Sequence, residues 1–474
     1  MAQSTQLVVI GAGPGGYAAA FAAADLGLQV TLVDPEANPG GVCLYRGCIP
    51  SKALLHVAKV IAEAKHAPHW GVTFSEPTID LDTLRTFKDN VVGKMTGGLG
   101  QLRNSRKINY LQGMATFVDN RTLSVDLVAG GKETLTFQHA IIATGSRPAT
   151  IPGWSVKSDR LMDSTGALEL KDIPKTLLVV GGGYIGLELG SVYAALGTKV
   201  TVVEMTPGLL PGADRDLVTF LHRRLETHLH KIYTDTKVTG VKEVKGGLEV
   251  SMEGAALKDD EKAQTFERVL VSIGRRPNGA VPGLDKTRVK VTERGFIEVD
   301  QRLRTAEPNI FAIGDVVGEP MLAHKASAEA RVAVETIAGH DVVFEPQAIP
   351  AVVFTDPEVA WCGLTETEAK KRNIKVEVAK FPWAALGRAV AIDRPDGVTK
   401  LVIDPATERI LGVGIVGSGA GELIAEGVVA VEMATLASDL KMSIHPHPTL
   451  SETMMEAAEV FFGQSVHVYR PKKK

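Results

Sequence analysis

Two stretches of this chain carry one pattern at a constant offset of 170 residues. Residues 7–34 run from Leu7-Val-Val-Ile10 through Gly11-Ala-Gly13-Pro-Gly-Gly16 and an alanine-rich stretch to Gln29-Val-Thr-Leu-Val-Asp34. Residues 177–204 run from Leu177-Leu-Val-Val180 through Gly181-Gly-Gly183-Tyr-Ile-Gly186 and an apolar helical stretch to Lys199-Val-Thr-Val-Val-Glu204. Each copy predicts a buried strand, a glycine turn, a helix and a second strand ending in an acid. That is the βαβ unit that binds dinucleotides. The first glycine of each (Gly11, Gly181) permits a tight turn, and the second (Gly13, Gly183) lets a diphosphate approach the backbone. The third (Gly16, Gly186) lets helix and strand pack closely. The helix N-terminus offers free N–H groups to phosphate, and Asp34 or Glu204 accepts hydrogen bonds from a ribose diol. One such run is weak evidence, but two complete copies predict two dinucleotide sites. Met205-Thr-Pro207 follows Glu204 with no basic side chain for a 2′-phosphate, so the second site is expected to take NAD rather than NADP.

A length of 474 residues exceeds what one hydrophobic core spans and predicts three or four domains. Ala143-Thr-Gly-Ser-Arg-Pro148 and Ser272-Ile-Gly-Arg-Arg-Pro277 echo each other after apolar strands, and both read as return strands closing a nucleotide lobe. Residues 114–138 and 232–273 alternate like meanders, the latter with a charged loop at Lys258–Lys262. Beyond residue 349 the glycine fingerprints stop. Strand patterns at Val376–Phe381 and Val398–Ile403 mix with a helical stretch, 420–437, and predict a separate α+β domain. The charge is nearly balanced, with 52 basic and 55 acidic side chains, so no large positive field attracts nucleic acid. No apolar run is long enough for a bilayer. The first basic residue is Arg46, which fits neither a secretory signal nor a presequence, and the expected location is the cytoplasm. Arg470–Lys474 reads as a solvated basic end.

The chain has three cysteines, too few for a disulfide scaffold. Two of them lie just past the first fingerprint, in Gly40-Gly-Val-Cys43-Leu-Tyr-Arg-Gly-Cys48-Ile-Pro-Ser-Lys52. Along a straight helix their Cα atoms would be separated by a rise of about 7.5 Å and would diverge around the axis. A disulfide wants them roughly 4.4–6.8 Å apart. Gly47 and Pro50 would allow the needed break. Ala53 onward reads as a helix, and Cys48 near its N-terminus would favour thiolate. A pair of inert buried cysteines is the alternative, and zinc is a weaker one because no further ligands complete a site. Cys362 lies in an apolar context and reads as structural.

The cysteine segment resembles the redox-disulfide signature of the class I pyridine nucleotide-disulfide oxidoreductases. Phe311-Ala-Ile-Gly-Asp-Val316 resembles that family's second flavin motif, and Met321-Leu-Ala-His-Lys325 the segment after it. His445-Pro-His-Pro-Thr-Leu-Ser-Glu452 resembles its C-terminal catalytic signature. The ending Ile-Pro-Ser-Lys52 resembles the branch that oxidises protein-bound dihydrolipoamide with NAD. The resemblance implies an α/β fold with two Rossmann-like FAD- and NAD-binding domains plus a C-terminal α+β dimerisation domain. The expected divisions are 1–150 (FAD), 151–275 (NAD), 276–348 (central, completing the FAD site) and 349–474 (interface).

The resemblance also implies roles. Asp34 would hold the adenosine ribose of FAD and Glu204 that of NAD. Cys43 would exchange with the lipoyl sulfur, while its disulfide partner Cys48 would face the flavin in a charge-transfer contact. Lys52 would sit near flavin N5, paired with Glu188. Asp315 would contact the ribityl chain, and Ala115, Ala323, Val238 and Gly274 are further cofactor-binding positions. His447 would be the acid–base acting on the other subunit of a homodimer, with Glu452 orienting it. The chemistry agrees: thiolates rather than thiols exchange with disulfides, so a base is needed. A histidine titrates in the right range, and a carboxylate stabilises its protonated form. The alternative for His447 is a loop histidine or half of a metal pair with His445. Tyr45-Arg46 stands where Asn-Val is frequent, and Arg46 is expected to lower a neighbouring thiol pKa. Asp34 stands where glutamate is usual, and its shorter side chain is expected to weaken the ribose contact. The substrate would arrive on the lipoyl domain of a 2-oxoacid dehydrogenase complex or a glycine-cleavage carrier protein. No metal is expected.

Overall fold

The computed structural model describes residues 3–154 and 156–469, so the basic end Arg470–Lys474 lies outside the described residues. The first lobe begins with β1 (Gln3–Ile10), α1 (Pro14–Asp25) and β2 (Val30–Asp34). Then follow α2 (Gly41–Arg46), α3 (Cys48–His66) and α4 (Leu81–Ser105), and the strands β3 (Asn109–Phe117), β4 (Thr122–Leu127) and β5 (Lys132–Ile142). β3, β2, β1 and β5 lie side by side in a parallel sheet, and strand Ile310–Ala312 pairs with the far edge of β5. β4 pairs antiparallel with the distal parts of β3 and β5, which makes the meander expected over 114–138.

The apolar runs are continuous because both sheet faces are covered. Val8 and Ile10 enter one core with Leu111 and Ile142. Leu7 and Val9, pointing the other way, enter a second with Leu32 and Ile141. α1 lies on that second face against helix Ala323–Ile337, through small residues on both sides. Residues 276–348 therefore add a strand and a helix to the first lobe.

The second lobe repeats the plan. Its parallel sheet runs Lys231–Tyr233, Lys199–Val203, Thr176–Val180, Arg268–Val271 and Leu161–Met162. A three-stranded antiparallel meander, Lys237–Val244, Gly247–Glu253 and Ala263–Phe266, sits beside it. The two echoes at 143–148 and 272–277 are not the return strands that the sequence led us to expect. The return strands end just before them, at Ile142 and Val271, and Ser146–Pro148 and Arg275–Pro277 pair antiparallel with each other. The two lobes are thus joined by a ribbon built from the same feature of each.

The C-terminal residues form a five-stranded antiparallel sheet (Ala351–Val353, Glu358–Gly363, Ile410–Gly417, Val398–Ile403, Glu377–Pro382) with helices Ala420–Glu432 and Glu452–Phe462 packed on it. Cys362 is buried in its core, and burial pushes the thiol up to about 12. Lys400, 1 % exposed, joins this domain to the second lobe through Asp214 at 2.6 Å and Asp216 at 2.8 Å.

The third fingerprint glycine is the tightest point of each βαβ unit. A Cβ on Gly16 would lie 1.8 Å from the Gly11 carbonyl oxygen, and one on Gly186 would lie 2.4 Å from that of Gly181. A Cβ on Gly13 would meet nothing closer than 3.9 Å. Gly16→Ala is therefore expected to cost about 1–3 kcal/mol or more, read as a lowered melting temperature of the ligand-free chain. Gly13→Ala should leave that temperature unchanged. Equal melting temperatures for the two variants would contradict the packing argument.

Candidate active site

The repeat extends to individual hydrogen bonds. Asp34 accepts from the Ala12 N–H at 2.6 Å and the Glu36 N–H at 2.9 Å. Glu204 accepts from Gly182 and Thr206, at the same offset, at 2.7 Å each. Each carboxylate is thus anchored to the turn carrying its own glycines, and the one-carbon-shorter Asp34 still reaches. Burial pushes the Asp34 carboxyl above its ordinary value, opposed by the Ala12 N–H and the Arg46 charge.

A cleft of about 580 Å³ starts at Asp34 and passes Gly11, Gly13 and Ala115. It then reaches Cys43 and Cys48, and continues past Lys52, Glu188, Asp315 and Ala323. An elongated dinucleotide fits this arrangement, with open backbone at Gly13 for a diphosphate and the N-terminus of α1 facing it. The second fingerprint lies apart from the cleft except for the N-terminal half of its helix, from Tyr184 to Leu189. Open space stands over Gly183 and Gly274, where a second dinucleotide would be admitted. Gly181 adopts φ 109°, the turn conformation Gly11 shows at 96°. Val238 is buried in the core between the second sheet and its meander.

The break foreseen at Gly47 exists. α2 ends at Arg46 and α3 starts at Cys48, and a Cβ on Gly47 would lie 2.8 Å from the Val42 carbonyl oxygen. This brings Cys43 and Cys48 together as two thiols in hydrogen-bond contact. The contact splits their acidities. The hydrogen bond from Cys43 lowers Cys48 to about 7, against burial and with help from Lys52, while the same bond and burial raise Cys43. Cys48 also occupies the first position of α3, where the helix dipole favours an anion. Arg46 does not act on the thiols as expected. It pairs with Glu36 and lies beside Asp34, and Lys52 supplies the positive charge near sulfur.

Lys52 follows Cys48 by one helical turn, on the same side of α3. Its Nζ lies 2.8 Å from Glu188 of the second lobe and 4.3 Å from the centre of the Phe354 ring. The other Glu188 oxygen accepts the Phe354 N–H at 3.0 Å. Asp315 sits on a short turn, Gly314–Val316. Glu329 fixes that turn by accepting the Gly314 N–H at 2.6 Å while pairing with Lys325, also at 2.6 Å.

His447 and Glu452 do not line this cleft. His447 Nδ1 lies 2.9 Å from Glu452, whose second oxygen accepts the Thr449 N–H at 2.8 Å. Burial opposes ionisation of Glu452, but the Thr449 amide and the imidazole together hold it below its ordinary value. The far side of the ring is open to an approaching group, with 75 % of the side chain exposed. His445 pairs separately with Glu426, so the two histidines are not joined as a metal pair. Sequence reasoning missed Ser146, Arg275 and Tyr184, all on the cleft, and the Phe354 amide. Tyr184 lies inside the second glycine run, and the other two cleft residues lie in the echoed segments.

Lys52→Met removes the positive charge beside Cys48. The inflection near pH 7 in the alkylation rate of the reduced protein should move up in this variant, and the reactive thiolate fraction at neutral pH should fall. An unmoved inflection would show that Lys52 does not stabilise the thiolate.

Residues 5–330 match the family model described as pyridine nucleotide-disulphide oxidoreductase, and residues 349–458 match its dimerisation domain. The chain is 51 % identical over 470 residues to a dihydrolipoyl dehydrogenase of Haemophilus influenzae, covering 99 % of this chain and 98 % of that one. It is 48 % identical to one from Vibrio cholerae, covering 99 % and 98 %. With one from Geobacillus stearothermophilus it shares 46 % identity, covering 98 % and 97 %. Among solved structures, LpdA of Mycobacterium tuberculosis superposes with a TM-score of 0.89 at 25 % identity, covering 96 % of this chain and 99 % of that one. The HOCl-induced flavoprotein disulfide reductase RclA of Escherichia coli gives 0.85 at 27 % identity, covering 96 % and 99 %. With its fingerprints, its thiol pair and a dimerisation domain in one frame, this chain belongs to the pyridine nucleotide-disulphide oxidoreductases, in the dihydrolipoyl dehydrogenase family.

Proposed function

We propose that the chain oxidises protein-bound dihydrolipoamide to lipoamide and passes the electrons to NAD. The family's cofactors are FAD and NAD. The balance is dihydrolipoamide plus NAD+ giving lipoamide, NADH and one proton. The observation that carries this reading is the Cys43–Cys48 thiol pair, brought together by the break at Gly47 and sharing with the Lys52–Glu188 pair the cleft that begins at the Asp34 carboxylate. Bound FAD would supply the two-electron acceptor between the dithiol and NAD.

The chain's own residues divide the remaining work. In the oxidised enzyme Cys43 and Cys48 are joined, and a substrate thiolate attacks the Cys43 sulfur, releasing Cys48 as the better leaving thiolate. The second substrate thiol then displaces Cys43, closing the lipoyl ring. Each attack needs a proton removed, one from each substrate thiol. His447 of the partner subunit takes the first, hands it to the departing Cys43 thiolate and takes the second, with Glu452 fixing the ring through Nδ1 and leaving Nε2 to the sulfur. Lys52 stabilises the Cys48 anion by charge. Gly11, Gly13, Gly16, Asp34, Ala115, Asp315 and Ala323 hold the flavin dinucleotide. Gly181, Gly183, Gly186, Glu204, Val238 and Gly274 hold the nicotinamide dinucleotide. The divisions 1–150, 151–275, 276–348 and 349–474 follow these tasks. The working form is a homodimer, located in the cytoplasm, and its partner is a lipoyl domain of a 2-oxoacid dehydrogenase complex or a glycine-cleavage carrier.

Mixing the protein with dihydrolipoamide and NAD should produce NADH, with FAD released on denaturation. FAD without NADH formation would defeat the proposal. Cys48→Ser should abolish lipoamide turnover, and His447→Gln should lower it by about 10²–10⁴-fold. Both variants should still oxidise NADH with a small dye that bypasses the thiols. Retained lipoamide turnover in Cys48→Ser would exclude the disulfide route.

A further inference from the structure

The ribbon between the lobes carries a chain of hydrogen bonds that none of the roles above uses. Arg275 directly follows Gly274 and lies opposite Pro148 in the ribbon. Its Nε donates to the Ser146 hydroxyl oxygen at 2.7 Å, and its Nη2 donates to the Ser146 carbonyl at 2.8 Å. The Ser146 hydroxyl donates in turn to Asp315 Oδ2 at 2.5 Å. The polarity of this chain is fixed. A guanidinium only donates and a hydroxyl has one proton to give. With Arg275 occupying its acceptor side, Ser146 must spend that proton on Asp315. Ser146 is only 3 % exposed, so water does not readily replace either bond. Asp315 is held from behind by the turn that Glu329 fixes, and Arg275, Ser146 and Asp315 all face the cleft. Arg275 is the member contributed by the second lobe. It lines the cleft, while its backbone neighbour Gly274 has open space where a Cβ would stand.

We propose that Arg275 is a positioning residue that couples the two dinucleotide sites: through Ser146 it orients the Asp315 carboxylate toward the flavin's ribityl chain, and through Gly274 it moves with the nicotinamide site. This rests on the preceding assignment of FAD to the cleft and of NAD to the second lobe. A carboxylate aimed by a hydroxyl that Arg275 itself holds in place binds a hydroxyl chain more tightly than a free carboxylate, because less ordering is left to do on binding. Occupancy at Gly274 should then be felt at the flavin without any residue touching both ligands.

The test uses the full-length protein stripped of flavin. FAD is titrated back by its fluorescence, NAD is added to the oxidised enzyme, and the flavin difference spectrum is recorded. NAD binding itself is measured by equilibrium dialysis. Arg275→Gln should raise the Kd for FAD by about tenfold or more and remove most of the NAD-induced flavin difference spectrum, with NAD still bound. Arg275→Lys should recover part of the FAD affinity, since an ammonium still donates to Ser146 but lacks the fixed planar fork that fits the hydroxyl and the carbonyl together. Ser146→Ala, which leaves Arg275 in place, should match Arg275→Gln in FAD affinity, and it carries the test if the arginine variant does not fold. FAD affinities within twofold of wild type in Arg275→Gln and Ser146→Ala would overturn the proposal, as would an unchanged difference spectrum in Arg275→Gln. Failure of the unaltered protein to take up FAD would instead overturn the assignment of the cleft.

Discussion

The Lys52–Glu188 ion pair is where three parts of the chain meet. Lys52 stands one turn after Cys48 on α3, and Glu188 stands on the fingerprint helix of the second lobe. The second Glu188 oxygen takes the Phe354 amide of the C-terminal domain, and the Phe354 ring lies against the Lys52 ammonium. A carboxylate that is 4 % exposed would be costly alone, and here both of its oxygens are answered. Its partner does two jobs, since the charge that neutralises Glu188 also favours the Cys48 thiolate. Removing Lys52 would leave the buried Glu188 charge unanswered and detune the thiol together, so redox chemistry and domain arrangement share one contact.

Around that contact the duplicated lobes follow one construction. A carboxylate at the end of the second strand ties itself to the glycine turn at the end of the first, and the third glycine brings the helix onto that turn. The equivalence of Asp34 and Glu204, down to the amides they accept, follows from the equal offset of every participating residue. The lobes differ in their surroundings. The first gains a strand, a helix and the Asp315 turn from residues 276–348, and with them the long cleft. The second keeps an open face over Gly183 and Gly274.

Much of this was readable in the residues. The repeat fixed the two sheets because apolar runs, glycine spacing and a terminal acid recur together, and local patterns suffice to specify a βαβ unit. Gly47 between the cysteines predicted the helix break, since a residue without Cβ was needed against the Val42 carbonyl. Long-range pairing was less legible. The two glycine–arginine–proline echoes read as return strands because each follows an apolar strand, and nothing local in either announces that they hydrogen-bond to each other. Arg46 read as a charge next to a thiol from its position between Cys43 and Cys48. In three dimensions its side chain turns to Glu36, a residue from a different loop. His447 was legible as a motif, and only the family resemblance implied that it acts away from its own chain's cleft.

That separation bears on the central proposal, that the thiol pair of one chain works with the histidine of another. The single chain has a His447–Glu452 pair that lies outside the thiol cleft, and no histidine among the described residues lines that cleft. The most direct measurement dissociates and reassociates two inactive homodimers, Cys48→Ser and His447→Gln, as an equal mixture and follows NADH formation from dihydrolipoamide. A shared site predicts that each mixed dimer regains one intact site, returning about a quarter of wild-type activity for random pairing. No activity in the mixture, with mixed dimers demonstrated by mass, would show that each site is built from one chain and would contradict the account.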